Sequence, residues 1–493
     1  MAGKRPNILF VLTDQQRADT IGAGGNPYIH TPVMDRLCTE GVNFTRVYTP
    51  SPVCVSARAA IISGQYPHRN GCFDNGFPMA EDRPSMMDLL SASGYQTMGV
   101  GKMHFLPDSK SLRGFERRLT QEELRRRVAD DDYLQFVHQE GFEHVHDVMG
   151  ARGEMYYIPQ VSQLPERLHA TNWVAEQSLA SLKGRDRSRP FFLWSSFIHP
   201  HPPFSPPTPW NKLYRGPLMP LPKRPDDMED LWTYHNRHQN RYKYRDAGLD
   251  DNLLRVMRAY YWACVSYIDY NVGRILDALE AEGELDNTLV VWSSDHGEFL
   301  GDYNCFGKRS FLDAAARVPL LARLPGRFPA GVQVDTPASL VDLMPTFACA
   351  AEADTNAFDL DGLDLAEIVD RQETRMIYGM FQTGNKGMFM VYNGRHKYIY
   401  SAADQKEYLL DHRFDPEETR NRAYNPMCTA ETSAMRDSLI NYFQNEGYTD
   451  PLDGDAWKGY EKLELPESPD AGLLIQDAGW SVPKYQIEGY SNR

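Results

Sequence analysis

The sequence lacks any apolar run long enough to cross a bilayer, which argues against an integral membrane protein. It also lacks an excess of positive charge: 52 Lys and Arg stand against 67 Asp and Glu, a net charge of −15. This balance argues against nucleic acid or an anionic membrane as the main partner. The seven cysteines are scattered and form no CxxC pair, so we expect free thiols rather than a zinc or redox site.

The N-terminus has no small-residue cleavage site ahead of its first apolar segment. A short basic start leads directly into NILFVLT, which is typical of a buried strand. We therefore predict a cytoplasmic protein, or a periplasmic one if a signal peptide has been removed. The sequence also lacks internal repeats and low-complexity tracts.

What the sequence does contain is an alternation of strands and helices. It predicts an α/β domain over residues 1–370: a doubly wound, mostly parallel sheet flanked by helices. A smaller C-terminal α+β subdomain on an antiparallel sheet, with a tail, is expected over residues 371–493, since turn residues there separate short apolar runs. The runs that predict strands of the larger sheet are 7–13, 96–101, 190–197, 287–294 and 318–323.

Polar residues follow four of these runs where each strand ends. They are Asp14 and Gln15, then Lys102 and His104, then His201, then Asp295 and His296. Because parallel strands place their carboxyl ends at one edge of a sheet, we expect these residues to face one crevice. Any one of them alone could be a helix cap or a surface residue. The coincidence over four strands favours a shared site.

An insertion over residues 204–246 is rich in proline, aromatic and basic residues. Its simplest interpretation is an irregular surface loop followed by a solvated helix. The alternative is a substrate-binding wall, since long loops near strand ends carry specificity. The candidates for such a wall are His235, Arg237, His238 and Arg241.

The segment 51–71 contains a second kind of candidate. Cys54 and Arg58 are four residues apart, so one helical turn places them on one face, with Cys54 at the helix N-terminus. The unpaired N–H groups there favour a thiolate or an anionic substrate. Gly64 can end the helix. Local chemistry alone leaves open a buried structural cysteine and a surface cation.

Residues 52–67, PVCVSARAAIISGQYP, resemble the signature of the type I, formylglycine-dependent sulfatases of the alkaline-phosphatase superfamily. That pattern is Cys-x-Pro/Ala-Ser-Arg, then small and apolar residues, Thr/Ser-Gly and Tyr-Pro. Ser56 and Ala57 depart from it, whereas Arg58 is retained. The resemblance extends over residues 6–420 through GKMHF at 101–105, GFERRLT at 114–120, His201, SDHGE at 294–298, and GK at 307–308 followed by RVP at 317–319.

The resemblance implies that Cys54 is oxidised to formylglycine by a formylglycine-generating enzyme, and that its hydrate is the nucleophile. It implies a metal site and a set of catalytic side chains. The oxygen ligands suit a hard ion, Ca²⁺ first and Mg²⁺ as an alternative, whereas the nitrogen of His296 would favour Mn²⁺. The implied metal ligands are Asp14, Gln15, Cys54, Asp295 and His296, and the implied catalytic residues are Cys54, Arg58, Lys102, His104, His201 and Lys308.

The implied activity is hydrolysis of a sulfate monoester of a carbohydrate or an aryl alcohol. Asp14-Gln15 stands where the family usually has Asp-Asp, and phosphonate monoester hydrolases share that pair. Hydrolysis of phosphonate monoesters or phosphodiesters is therefore one alternative. A homologue that never converts Cys54 is another, because Ser56 departs from the signature. A homo-oligomer remains open, and the pattern does not specify the sugar, the sulfate position or the linkage.

Overall fold

The computed structural model describes residues 5–80, 82–123, 127–152, 156–244, 250–371 and 373–467, with the side chains of 242–244 left out. The tail expected at the C-terminus lies outside these residues from position 468 onward. Among the described helices, none is both long and apolar enough to span a bilayer. All seven cysteines are free, as expected.

Most of the strands in the first two thirds of the chain belong to one large sheet. They are β1 Asn7–Asp14, β2 Val42–Phe44, β3 Val47–Tyr48, β4 Gln96–Gly101, β5 Arg117–Thr120, β6 Phe191–Pro200, β7 Thr288–Ser294, β8 Leu320–Arg323, β9 Val332–Val334, β10 Ala338–Ser339, β11 Ile377–Phe381, β12 Met388–Tyr392, β13 His396–Ser401, β14 Lys406–Asp411, β15 Leu452–Asp453 and β16 Ala456–Trp457.

The helices lie mostly between strands of the large sheet. They are α1 Pro32–Glu40, α2 Cys54–Ser63, α3 Pro67–Asn70, α4 Met86–Ala92, α5 Asp132–Gln139, α6 Ala170–Lys183, α7 Tyr234–Tyr244, α8 Asp251–Ala281, α9 Asp313–Ala316, α10 Leu343–Ala350, α11 Leu365–Val369 and α12 Thr429–Asn445.

The large sheet has eight strands in the order β5-β4-β6-β1-β7-β8-β2-β9. The central strands β4, β6, β1 and β7 are parallel to one another. Strand β8 runs antiparallel to β7, and β2 antiparallel to β8. The mostly parallel sheet predicted from the sequence is therefore confirmed. The last predicted strand begins two residues later than its apolar run, because Pro319 lacks an N–H donor.

Helices cover both faces of this sheet. Along β1, Leu9 and Val11 point into one core, whereas Ile8, Phe10 and Leu12 point into the other. The first core includes residues of α1, α5, α6 and α8, and the second includes residues of α2, α4, α10 and α11. Every residue of β1 is buried, as expected for a central parallel strand.

The C-terminal sheet is antiparallel in the order β11-β12-β13-β14. The alternation along β12 sends Phe389 and Val391 towards α12, and Met388 and Met390 towards the segment around Phe311. The buried ammonium of Lys397, in β13, donates to Asp313 and Glu418 at 2.5 Å each and to the Phe311 carbonyl at 2.9 Å. These bonds tie the small sheet to the segment that follows Lys308.

Candidate active site

The carboxyl ends of four neighbouring parallel strands meet at one edge of the large sheet. Asp14 ends β1, Lys102 follows β4, His201 follows β6 and Asp295 follows β7. All four side chains are at most 5% exposed. The convergence expected from the sequence thus exists as one buried cluster. Helix α2 points its N-terminus into the same cluster.

Cys54 begins α2, with its sulfur among cationic groups. Its Sγ lies 2.8 Å from the Nζ of Lys308, 3.2 Å from the Nε2 of His296 and 3.9 Å from the Nζ of Lys102. Burial and Asp14 raise the pKa of this thiol, but Lys102, Lys308 and His296 outweigh them and hold it well below its usual range. Residue 54 therefore lies where negative charge is stabilised.

Arg58 contacts the carboxylates of the cluster. Its Nε donates to Oδ2 of Asp295 at 2.9 Å, and its Nη2 to Oδ2 of Asp14 at 3.2 Å. Its Nη1 donates to the Lys102 carbonyl at 2.5 Å and to the Ser196 hydroxyl at 3.1 Å. The guanidinium is 1% exposed and is held by these four groups. It fixes the two aspartates, one turn below residue 54.

The acidic cluster suits a divalent cation. Ligand atoms of Asp14, Cys54, Asp295 and His296 all lie within 4.8 Å of one another. Arg58 binds only the Oδ2 atoms, while the Oδ1 atoms of Asp14 and Asp295 lie 3.9 and 3.5 Å from the Nε2 of His296. Burial and Asp14 raise the pKa of Asp295, which a nearby cation would counteract. Carboxylate oxygens and an imidazole nitrogen are suitable ligands for such an ion.

Gln15 is oriented by the groups on both sides of its amide. Its Oε1 accepts from the Nζ of Lys308 at 3.0 Å, and its Nε2 donates to the carboxylate of Glu298. Glu298 also accepts from the hydroxyl of Tyr157 at 3.0 Å and from the backbone N–H of Gly307 at 2.5 Å. The amide oxygen of Gln15 is therefore directed towards the Lys308 side of the cluster.

His201 presents one ring nitrogen to the site. Its Nδ1 lies 2.7 Å from the Pro202 carbonyl, which can only accept, so Nδ1 carries the proton and Nε2 remains for chemistry. Nε2 lies 3.5 Å from the carboxylate of Glu123 and 3.5 Å from the hydroxyl of Tyr156. Burial lowers the pKa of His201 to about 3, and Glu123 opposes this shift while Lys308 adds to it.

The sequence matches the family model described as Sulfatase over residues 6–353. This chain belongs to the sulfatase family. A second model, described as N-sulphoglucosamine sulphohydrolase, C-terminal, matches residues 301–445. The enzyme is accordingly a hydrolase.

Curated relatives of this sulfatase align along most of its length. An arylsulfatase of Clostridium perfringens is 29% identical over 90% of this chain and 96% of its own. A choline-sulfatase of Rhizobium meliloti is 30% identical over 91% of this chain and 89% of its own. Among solved structures, a phosphonate monoester hydrolase of Agrobacterium radiobacter superposes with a TM-score of 0.77, at 25% identity, over 90% of this chain and 96% of its own. The expected alkaline-phosphatase-like fold is confirmed.

Two histidines of the sulfatase lie apart from the Cys54 sulfur. His104 lines a small cavity with Val55 and Arg58, and its Nδ1 has no hydrogen-bond partner among the described residues. His199 stacks on His169, with ring centroids 4.8 Å apart. Of these two, the structure brings His104 against the Arg58 side of α2, whereas His199 has a packing role.

The side chains of the basic helix α7 bond to the C-terminal sheet and, at one position, to the segment that carries Lys308. His235 lies 2.8 Å from the Lys386 carbonyl, and Arg237 donates to Asp404 at 2.6 Å. Both therefore hold α7 against the C-terminal sheet. Gln239, which the sequence did not single out, donates to the Lys308 carbonyl at 2.9 Å. The other two candidates have other partners. Arg241 donates to the Pro466 carbonyl at 3.4 Å. Burial, together with the charges of Arg309 and Lys386, lowers the pKa of His238.

Residues outside the predicted set complete the site. Glu123 contacts Lys102 at 2.9 Å, and Glu298 orients Gln15. Glu298 lies in the SDHGE motif, so the sequence placed it near Asp295 and His296 but did not predict that it orients Gln15. Glu123 follows the short strand β5, which the alternation of longer runs did not reveal, so no sequence signal indicated its place.

Proposed function

We propose that this sulfatase hydrolyses a sulfate monoester carried by a carbohydrate or an aryl alcohol, with Cys54 acting after conversion to formylglycine. The observation that carries this proposal is the position of residue 54. It begins a buried helix beside the ammonium groups of Lys102 and Lys308, and its sulfur lies within 4.8 Å of carboxylate oxygens of Asp14 and Asp295. A tetrahedral anion is bound by such a cationic rim.

Asp14, Gln15, Asp295, His296 and residue 54 would hold the metal, with Ca²⁺ the first choice and Mn²⁺ or Mg²⁺ as alternatives. When bound, the ion supplies charge neutralisation at the sulfate group and activates a hydroxyl of the converted residue 54. A formylglycine-generating enzyme would be the maturation partner.

The chain's own side chains supply the remaining chemistry. Lys102 and Lys308 donate to sulfate oxygens, and these charge-assisted bonds strengthen as charge develops. His201 delivers a proton from Nε2 to the departing oxygen. Arg58 keeps the carboxylates in place, and His104 removes a proton from residue 54 after the leaving group has departed, which requires its ring to turn from the Arg58 side of α2.

A sulfated sugar is the substrate class we favour. An N-acetylglucosamine-6-O-sulfatase of Bacteroides thetaiotaomicron is 26% identical over 75% of this chain. Arg309 and Lys386 both lower the pKa of His238, and these two permanent cations suit an anionic oligosaccharide.

Phosphonate monoester hydrolysis is the second candidate. The Asp14-Gln15 pair and the superposition on the Agrobacterium enzyme favour it, since sulfate and phosphonate esters are both tetrahedral anions.

A parallel assay tests both candidates. Enzyme produced with a formylglycine-generating partner is offered 4-nitrophenyl sulfate and a phosphonate monoester with the same leaving group, with Cys54→Ala as control. A Cys54-dependent preference for sulfate is expected, and a preference for phosphonate would overturn the main proposal. Peptide mass spectrometry of the same sample shows whether Cys54 is converted; an unconverted cysteine in the native host would support a non-catalytic homologue.

A further inference from the structure

Glu123 is a largely enclosed carboxylate that the chemistry above leaves unused. One of its oxygens lies 2.9 Å from the Nζ of Lys102, and the other lies 2.5 Å from Nη2 of Arg152 and 3.5 Å from Nε2 of His201. Its side chain is 11% exposed. Burial raises the pKa of this carboxyl, but His201, Lys102 and Arg152 outweigh burial and hold it well below its usual range. Glu123 is therefore an anion beside two groups that bind the substrate.

The position of Glu123 matters because His201 must carry a proton before it can act as an acid. Nδ1 of His201 is committed to the Pro202 carbonyl, so the transferable proton resides on Nε2. The imidazolium form of the buried His201 is disfavoured by desolvation and by the like charges of Lys308 and Lys102. Among the residues that the structure describes, the titratable and charged groups that act on this ring from the surrounding segments include Glu123, Asp14, Lys102, Lys308, Tyr156 and His199.

We propose that Glu123 is a positioning residue that favours the protonated form of His201 and aims its Nε2–H at the leaving oxygen of the substrate. The proposal rests on the proposed function, in which His201 is the general acid. As an oxygen of the converted residue 54 bonds to sulfur and the bond between sulfur and the leaving oxygen breaks, the electron pair of the broken bond stays on the leaving oxygen, the Nε2 proton passes to it, and His201 becomes neutral. Glu123 itself keeps its charge throughout.

Two features give Glu123 this role rather than that of a simple ion-pair partner. Of the two carboxylates that raise the pKa of His201, Glu123 has the larger effect and Asp14 the smaller. Arg152, which stacks its guanidinium 5.0 Å from the ring centroid of Tyr156, holds the carboxylate from the side away from Lys102. The carboxylate is thus fixed by two cations while its contact with His201 remains longer, so that Nε2–H can be shared with a substrate oxygen.

The leaving group tests this role. A poor leaving group needs protonation and a good one does not. We expect Glu123→Gln to lower kcat about 10- to 100-fold for phenyl sulfate but no more than about threefold for 4-nitrophenyl sulfate. The basic limb of the kcat pH profile should move to lower pH, because removing the negative charge lowers the pKa of His201. Glu123→Asp should restore part of both effects, and Glu116→Gln, on the surface beside Arg189, should change neither.

A combined variant separates positioning from folding. In a His201→Ala background, Glu123→Gln should cause little further loss, since its effect acts through the imidazole. Equal losses for both leaving groups, an unmoved basic limb, or full additivity with His201→Ala would overturn the proposal. A rise in kcat/KM would also overturn it, by showing that Glu123 competes with the substrate.

The outcome is distinguishable from failure of the proposed function. If the enzyme prefers phosphonate esters, the same leaving-group series is run with phenyl and 4-nitrophenyl phosphonates. If it cleaves neither ester, the protonated fraction of His201 in the sulfate-loaded protein is measured by NMR with labelled histidine, using His201→Ala to assign the signal. A lower protonated fraction in Glu123→Gln supports the proposal, and an equal fraction overturns it.

Discussion

The ammonium of Lys308 lies 2.8 Å from the sulfur of Cys54, although 254 residues separate them in the chain. The same ammonium lies 3.0 Å from the amide oxygen of Gln15, at the end of β1. The side-chain amide of Gln239, in α7, donates a hydrogen bond to the backbone carbonyl of Lys308. One cation thus connects the N-terminus of α2, the central strand and the inserted helix.

Removal of the Lys308 charge should impair turnover more than folding. We expect Lys308→Met to reduce kcat for 4-nitrophenyl sulfate by about 10²–10³-fold, the typical cost of losing one electrostatic donor to the transition state. Steady-state kinetics measure the effect. Lys212→Met, at an exposed position, is the control and should behave as wild type. Near wild-type activity in Lys308→Met would contradict the placement of Lys308 at the reacting group.

Cys54 should be indispensable for catalysis and dispensable for folding. Cys54→Ala is expected to abolish turnover while the thermal unfolding midpoint stays close to that of wild type, because Ala fits the first turn of α2. Cys72→Ala, at a buried cysteine outside the cluster, serves as the comparison and should retain turnover. Activity in Cys54→Ala would disprove the nucleophile assignment.

Asp295 should be needed to retain the metal. Asp295→Asn removes one negative charge from the cluster, so we expect both a lower metal content by elemental analysis and a lower kcat. Treatment of wild type with a chelator should abolish activity, and adding Ca²⁺ should restore it. Asp277→Asn, on the exposed face of α8, is the matched control. Full metal content in Asp295→Asn would contradict its role as a ligand.

Lys397 should contribute to stability through the carboxylates that it bridges. Lys397→Met leaves Asp313 and Glu418 buried without their shared cation, which typically costs about 3–5 kcal/mol. We expect urea-induced unfolding of Lys397→Met to have a lower midpoint than that of wild type. Lys406→Met removes the half-buried pair with Asp230 and should cost at most about 1 kcal/mol. Equal midpoints for the two variants would contradict this difference.

The same cluster predicts a dependence of stability on pH. Burial raises the pKa of Asp313, but Lys397, Arg317 and His412 outweigh burial and hold it well below its usual range. A carboxyl with a lowered pKa stabilises the fold above its ordinary value of about 4 and loses that contribution as the pH falls. We expect wild type to lose more stability than Lys397→Met over this acidic range. Parallel acid-dependence curves for the two proteins would show that the cluster does not titrate in this way.

The strand ends of the large sheet were predictable because their apolar runs are short, uniform and followed by polar residues. The sequence alone therefore places Asp14, Lys102, His201 and Asp295 at one edge of the sheet. Local spacing also predicted that Cys54 begins a helix that Gly64 ends, and Gly64 has a φ of 63°, in the left-handed region. Edge strands such as β5 and β9 were not anticipated, since they are too short to show a period.

The partners of individual side chains could not be predicted from the sequence. Arg58 was expected on the same helix face as residue 54, but the sequence did not show that its planar fork binds Asp14 and Asp295, whose carboxylates reach it from adjacent strands. The basic residues of α7 were candidates for substrate contact, but His235 and Arg237 bond to the C-terminal sheet. Spacing along a chain fixes which face a residue lies on, and it does not specify which charge from a distant segment will meet it.

The sequence by itself determined the family, the doubly wound sheet and the strand ends that hold the site, because hydrophobic periodicity and ordered motifs are local properties. Only the tertiary structure decided that Glu123 faces His201, that Glu298 orients Gln15 and that Lys397 ties the C-terminal sheet to the segment after Lys308. Each of these contacts pairs charges or dipoles from segments far apart in the chain. Their strength depends on shared burial, which arises only when the segments pack.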